Sequence, residues 1–253
     1  MSEVAPGYGV ASEDRGAVRI LVLERPQKLN AFVAEGYRVL SARLEEAASD
    51  PDVSVCVLTG RGRAFCAGVD LSEMGRPGGA QELGVAFDPL LEALARFPKP
   101  LVAAVNGLAV GFGATLLLHC DVVVVDDEAE IRMPFIALGT CAEAGSSWLL
   151  PQRVGAQVAA WMVLSGSPLS AARAVETGFA LARAPGGHVL EVALSLAQEM
   201  AAHRAPALVA NKRLLRQGWA EQVMEVWQRE KEAMADMAGQ LGPIGWSQAA
   251  GSP

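Results

Sequence analysis

Leu101-Val102-Ala103-Ala104-Val105, followed by Asn106-Gly107 and then by Gly111-Phe112-Gly113, is the stretch that decides the fold. Five apolar residues without polar alternation mark a strand covered on both faces, as in a mainly parallel sheet between helices. Asn106-Gly107 turns the chain, and the two later glycines introduce a helical stretch to about His119. The same grammar recurs on either side. Residues 122–125, four valines, read as a second buried strand, and residues 53–59 and 17–23 as further strands, the last stopped by Pro26. Val33, Tyr37, Leu40, Leu44 and Ala47 fall at spacings of four and three, which predicts a helix of about five turns ending near Asp50-Pro51. Residues 60–71 are turn-rich, residues 75–81 have the composition of a mobile loop, and a helix is predicted over 82–96. Beyond about residue 145 the pattern is helical, apart from a short strand near 179–183. In this tail Val223, Trp227, Glu230, Met234 and Met237 share one helical face. Strands alternating with helices define an α/β protein with a core sheet. No internal repeat or low-complexity linker is visible.

Composition narrows the function classes. Of 253 residues, 51% are hydrophobic and 19% charged, which excludes disorder and predicts one large domain, alone or with a small appendage. The net charge of -7 argues against nucleic-acid binding, so a phosphate-bearing ligand would need a local basic patch. From Pro100 to Cys120 there is no Asp, Glu, Lys or Arg, and from Met133 to Gln152 the one charged residue is Glu143. The first stretch is long enough for a membrane helix. Asn106, His119 and three glycines, however, split it into a strand and a helix. Residues 1–16 carry no apolar core of a signal peptide. Cys56, Cys66, Cys120 and Cys141 form no C-x-x-C pair and read as reduced, mostly buried thiols of a cytoplasmic protein.

Three places are candidates for chemistry. Gly-containing turns follow the strands at 53–59 and 101–105, and such turns leave backbone N–H groups unpaired. Two of them together supply two donors for a developing oxyanion, although each also reads as an ordinary connection. A dinucleotide fingerprint is a poor match, since the run is Gly-x-x-x-Gly-x-Gly. Glu143 is the second place. Its isolation predicts a shielded carboxylate with a raised pKa, fit for proton transfer. It equally fits an acid placed near the start of a helix over 147–154 to complement the dipole, and spacing leaves both readings open. The third is the set of His, Ser and Cys residues. No Gly-x-Ser-x-Gly elbow and no cluster of metal ligands occurs. His119 reads as a hydrogen-bonded core residue, and His188 and His203 as surface residues.

These motifs resemble the crotonase (enoyl-CoA hydratase/isomerase) superfamily over residues 17–240. Arg25-Pro26-Gln27-Lys28-Leu29-Asn30-Ala31 is similar to its strand-to-helix entry. Gly62 through Leu71 (Gly-Arg-Ala-Phe-Cys-Ala-Gly-Val-Asp-Leu) is similar to its first oxyanion motif. Ala104-Val105-Asn106-Gly107, Gly111-Phe112-Gly113-Ala114 and Cys120-Asp121 are similar to the second, and Leu138-Gly139, Gly145 and Pro151 continue the register. The resemblance implies a spiral core of repeated ββα units (residues 1–195) and a helical C-terminal trimerisation region (196–253), with a homotrimer or a hexamer of paired trimers. It implies acyl-CoA thioester substrates, with coenzyme A entering as part of the substrate, no separate cofactor and no metal. By motif position, the N–H groups of Val69 and Phe112 form the oxyanion hole, although Phe112 stands where glycine is commoner. Ala67, Val69, Asp70 and Leu71 line the coenzyme A path, and Lys28 contacts its nucleotide end.

The departures from the family pattern set the expected activity. The two glutamates of the hydratases fall at Thr115 and Phe135, neither of which can serve as a base. Glu143, in Leu138-Gly139-Thr140-Cys141-Ala142-Glu143-Ala144-Gly145-Ser146-Ser147, is similar in place to the single catalytic glutamate of peroxisomal-type Δ3,Δ2-enoyl-CoA isomerases, and Met133-Pro134-Phe135 resembles the same subgroup. The expectation is an isomerase that moves a 3-enoyl-CoA double bond to the 2-position, with Glu143 as the proton shuttle. Alternatives are a hydratase or another acyl-CoA reaction using a different base, a non-catalytic acyl-CoA-binding protein, and a nucleotide-dependent oxidoreductase. Residues 72–90 are expected to shape the acyl pocket. The terminal Gly-Ser-Pro carries no peroxisomal address, in keeping with a cytoplasmic setting.

Overall fold

The apolar run at 101–105 lies at the centre of a sheet in the computed structural model, which describes residues 9–241. The expectations for residues 1–8 and for the terminal Gly-Ser-Pro lie outside the described residues. The strands are β1 (Gly9–Arg15), β2 (Val18–Glu24), β3 (Val55–Gly60), β4 (Ala64–Cys66), β5 (Leu101–Val105), β6 (Leu108–Val110), β7 (Val122–Asp126), β8 (Glu130–Arg132), β9 (Leu169–Ser170) and β10 (Ala182–Ala184). The helices are α1 (Ala34–Ser49), α2 (Leu71–Met74), α3 (Gly79–Arg96), α4 (Phe112–Leu117), α5 (Ser146–Val154), α6 (Ala156–Ser165), α7 (Ala171–Glu176), α8 (Val189–Ala201), α9 (Ala205–Leu215) and α10 (Trp219–Leu241).

Six strands form the main sheet in the order β1-β2-β3-β5-β7-β10, antiparallel only between β1 and β2. Strands β3 and β5 are buried along their whole length because both faces are covered. Leu58, Leu101 and Ala103 point to the side of α1 and α3, and Val57, Val102 and Ala104 to the side of α8. The second sheet, β4-β6-β8-β9, stands on the α1/α3 side. The ββα repeat is visible in the order of elements. Pairs β3-β4, β5-β6 and β7-β8 each send one strand to the main sheet and one to the small sheet before a helix. The repetition lies in backbone path and not in residue identity, which is why the sequence shows no repeat.

Two local expectations are corrected. The loop expected over 75–81 is shorter, because α3 begins at Gly79, three residues before the predicted start, and the turn-rich segment ahead of it runs into a short helix, α2, at Leu71–Met74. The helical tail also carries β9, a two-residue strand absent from the sequence reading.

The C-terminal helices are fixed to the core by named polar contacts. Asp121 accepts the Leu101 N–H at 2.8 Å and pairs with Lys212 and Arg216 of the α9 region at 2.7 and 2.8 Å. On α3, Asp88 accepts from Trp227 Nε1 (2.7 Å) and Lys231 Nζ (2.9 Å) of α10. Among the described residues no helix is long and apolar enough to cross a membrane.

Candidate active site

Two asparagines, Asn30 buried and Asn106 half-buried, bring the Gly-containing turns together. Asn30, in a left-handed conformation at the end of the entry motif, accepts from the Arg25 N–H (2.9 Å) and donates to the carbonyls of Arg61 (3.0 Å) and Ala64 (2.8 Å). Asn106 accepts from the Gly60 N–H (3.1 Å) and donates to the Gly62 carbonyl (2.8 Å). Strands β4 and β6 then pair in parallel and lead the two turns out side by side. Glycine is required at the contact. A Cβ on Gly68 would lie 2.7 Å from the Val110 carbonyl and 3.5 Å from the Phe112 nitrogen, and one on Gly113 would lie 2.2 Å from the Cys66 carbonyl.

This arrangement leaves donors over. Val69 is bridged to Phe32 through its neighbours: Phe32 donates to the Gly68 carbonyl (2.7 Å) and Asp70 donates to Phe32 (2.8 Å). Phe112 is the first residue of α4, where no intrahelical acceptor exists. Among the described residues neither the Val69 nor the Phe112 N–H is donated to any group. The Phe112 ring closes one wall of the turn pair, in edge contacts with Phe32, Tyr37 and Phe87 at centroid distances of 5.1–5.2 Å.

The remaining site residues named from the sequence fall around the first turn. Ala67, Val69 and Leu71 are half-buried, and Lys28 is exposed in the 3₁₀ turn Pro26–Lys28, whose Pro26 lies against Gly62. Asp70 is buried. It caps α2 through the Ser72 N–H (3.0 Å) and pairs with Arg25 (2.8 Å). Burial opposes its ionisation, but the hydrogen bonds from Ser72 and Arg25 outweigh burial and hold the carboxyl below its ordinary range. Its side chain therefore has a structural task, tying the entry motif to the first turn. Thr115 is fully buried with its hydroxyl on the Phe112 carbonyl (3.3 Å), and Phe135 is buried as well.

Glu143 precedes α5 by three residues and is half-buried. Among the described residues its carboxylate accepts no hydrogen bond and meets no cation. Loss of solvent around the carboxyl, with a smaller contribution from the charge of Glu230, pushes its pKa up to about 7. Its charge is felt in turn at Cys66, on the first turn, and at Tyr37, in the aromatic wall. Both groups are raised chiefly by burial, Cys66 to about 12. The carboxylate thus lies within electrostatic reach of the turn pair.

The loop around Glu143 is held from two sides. Ala144 has φ of 59°, a strained conformation for a residue with a side chain, and its carbonyl meets His119 Nε2 at 3.0 Å. Burial takes the His119 pKa down to about 3, so the ring is neutral and Nε2 carries the hydrogen it donates. His119 is the buried, hydrogen-bonded residue expected, and His188 and His203 are exposed. On the other side, Glu230 of α10 accepts the Gly145 N–H (2.7 Å) and the Ser147 N–H (2.9 Å). The acid that complements the start of α5 is therefore Glu230, not Glu143. The sequence reading placed Glu230 on the inward face of its helix but gave it no task, because its partners lie more than eighty residues away.

Comparison with known proteins agrees with this geometry. The family model for enoyl-CoA hydratase/isomerase matches residues 13–241. A 2,3-dehydroadipyl-CoA hydratase of Escherichia coli (strain K12) is 43% identical over 200 residues, covering 79% of this chain and 78% of its own length. A 1,2-epoxyphenylacetyl-CoA isomerase of the same organism is 39% identical over 175 residues, covering 67% of each chain. Among solved structures, an enoyl-CoA hydratase/isomerase from Pseudoalteromonas atlantica T6c superposes with a TM-score of 0.84 at 32% identity, covering 91% of both chains. The fold and the paired turns define a crotonase-type acyl-CoA enzyme. The chain belongs to the enoyl-CoA hydratase/isomerase family, whose members act on acyl-CoA thioesters.

Proposed function

We propose that the protein is a Δ3,Δ2-enoyl-CoA isomerase in which Glu143 moves the proton. The observation that carries this reading is a carboxylate with no partner among the described residues, its pKa raised to about 7, whose charge reaches Cys66 and Tyr37 around the turns that carry two undonated N–H groups. The thioester oxygen accepts from Val69 and Phe112, which stabilises the enolate as charge moves onto that oxygen. Glu143 takes the C2 proton, the double bond moves into conjugation with the thioester, and the same carboxyl returns the proton at C4. One base suffices because no water is added, and no cofactor enters beyond the coenzyme A of the substrate. Ala67, Val69, Asp70 and Leu71 line the coenzyme A path in this reading, and Lys28 offers its cation to the nucleotide end. The four unpaired cysteines support a cytoplasmic setting. The exposed apolar residues Trp161, Leu164, Leu181, Leu214 and Leu215 support assembly into a homotrimer or a pair of trimers.

The test is turnover of cis- and trans-3-enoyl-CoA by wild type and by Glu143→Gln. The variant is expected to remain folded and to lose on the order of 10²–10⁴ in kcat. Only the ionised carboxylate is a base, so wild-type kcat/KM should rise with pH through a midpoint of about 7. Near-normal turnover by the variant would refute the assignment. The likeness to the dehydroadipyl-CoA hydratase favours hydration as a second reading. Addition of water to a 2-enoyl-CoA, faster than any isomerisation, would select it. Thr115 and Phe135, standing where the hydratases carry glutamates, weigh against it.

A further inference from the structure

Glu230 is the most deeply placed acid of α10, with only 5% of its surface exposed. Both carboxylate oxygens are used, and both hold the loop that carries Glu143: Oε2 takes the Gly145 N–H and Oε1 the Ser147 N–H, at 2.7 and 2.9 Å. The Glu230 backbone carbonyl also accepts from Cys141 Sγ at 3.7 Å, so one residue of α10 touches the loop on both sides of Glu143. On its outer side Glu230 borders a cavity of about 450 Å³ that it shares with Cys141, Ser147 and Trp148. Helix α10 is itself fixed to α3 by the Asp88 contacts, so the loop is held against a rigid support.

We propose that Glu230 is a positioning residue for the proposed isomerisation: it fixes the loop that aims Glu143 and places a second negative charge beside that carboxylate. This rests on the reading of Glu143 as the base. Two carboxylates close together cannot ionise as freely as one, so Glu230 raises the proton affinity of Glu143 and strengthens it as a base. Several other titratable groups face Glu143. Tyr37 of α1, Cys66 of β4 and Cys141 of the same loop all have raised pKa values, burial being the first cause in each, and are neutral at neutral pH. His119, two residues beyond α4, is neutral as well. Among these groups Glu230 is the one that brings charge, and the direction of its effect on Glu143 is upward. Glu230 is itself raised by burial, which the hydrogen bonds from Ser147 and Gly145 oppose. Glutamine removes the charge together with one of the two acceptors at constant size, whereas aspartate keeps the charge and both acceptors and shortens the reach, so the two variants separate charge from position.

The experiment follows the Glu143 carboxyl directly, by ¹³C NMR of glutamate-labelled full-length protein across pH 4–9. The signal is assigned by its loss in Glu143→Gln, and the pH profile of kcat/KM on 3-enoyl-CoA is recorded in parallel. In Glu230→Gln the Glu143 midpoint should fall by about one pH unit, with the acid limb of kcat/KM falling by the same amount. At pH 8 kcat should drop about tenfold with KM nearly unchanged. Glu230→Asp should keep the midpoint near that of wild type and still lower kcat about tenfold. An unmoved midpoint in Glu230→Gln, or an unaltered kcat in Glu230→Asp, overturns the proposal. Should the glutamine variant not fold, the aspartate variant alone decides by its kcat. The NMR midpoint does not depend on turnover. A shifted midpoint in Glu230→Gln together with full activity of Glu143→Gln would therefore reject the isomerase reading and leave the coupling standing.

Discussion

Glu143 carries a cost in stability, and its sign follows from the direction of its pKa shift. A carboxyl raised from 4.5 to about 7 binds its proton more tightly in the folded chain than in the unfolded one. The stability gained from that proton is fully present below the ordinary range and is lost as pH rises through about 7. Glutamine at this position cannot ionise, so it escapes the loss. Glu143→Gln should match wild type near pH 4 and exceed it by about 1–3 kcal/mol at pH 8, a range reduced for the carboxyl's partial exposure. Denaturant unfolding at both pH values is the measurement, and a difference independent of pH would contradict a desolvated carboxyl. His119 works in the opposite direction. Its depressed pKa, near 3, makes its contribution fade as pH falls below about 6.5. Much of this was legible in the residues themselves: a lone acid among apolar neighbours announces desolvation. The sequence left open whether that acid served a helix terminus, because the residue that does so, Glu230, meets the loop only after the chain has folded back.

The site depends at the next scale on two turns held in contact by small residues and by the side-chain amides of Asn30 and Asn106. Gly113, the second residue of α4, lies so close to the first turn that a Cβ would sit 2.2 Å from the Cys66 carbonyl oxygen and 2.9 Å from its carbon, both backbone atoms that cannot swing away. Gly113→Ala should therefore force the turns apart at a cost of about 1–3 kcal/mol. It should also lower kcat about 10²-fold, because oxyanion donors act over a narrow range of distance. Thermal unfolding and steady-state kinetics together test this, and a variant with unchanged kcat would mean that the turn pair does not hold the reacting oxygen. The elements around these turns were unequally legible. Strands covered on both faces, β3, β5 and β7, appear as unbroken apolar runs. Strand β1 does not, since Glu13, Asp14 and Arg15 lie exposed along the sheet edge and only pairing with β2 makes them a strand. Strands β4, β6 and β8 have three residues each, too few to show a period, and their place is set by the turns they lead into.

Across the whole molecule, the charge-poor stretches and the exposed apolar residues answer different questions. Residues 100–120 became a central strand, a turn and a buried helix, and residues 133–152 the support of Glu143, so their lack of charge reflects burial within this one chain. Leu214 and Leu215, 67% and 87% exposed at the end of α9, and Leu181, 62% exposed, have no such explanation within the chain. Leu181 and Leu215 border one concave surface together with Val175, Leu149 and Trp219. An apolar face of this kind is costly in water, and association of identical subunits about a rotation axis covers it without leaving an unmatched copy. The proposed trimer predicts a particle of about 80 kDa, or about twice that for paired trimers, by light scattering at micromolar concentration. Charge placed in the contact should outweigh its gain. The double variant Leu181→Glu/Leu215→Glu is expected to run as a 26.5 kDa monomer with its secondary structure intact. A wild-type chain already monomeric under these conditions would remove the assembly, and a double variant that still sedimented as a trimer would move the contact to another face, leaving Trp161 and Leu164 of α6 as the next to substitute.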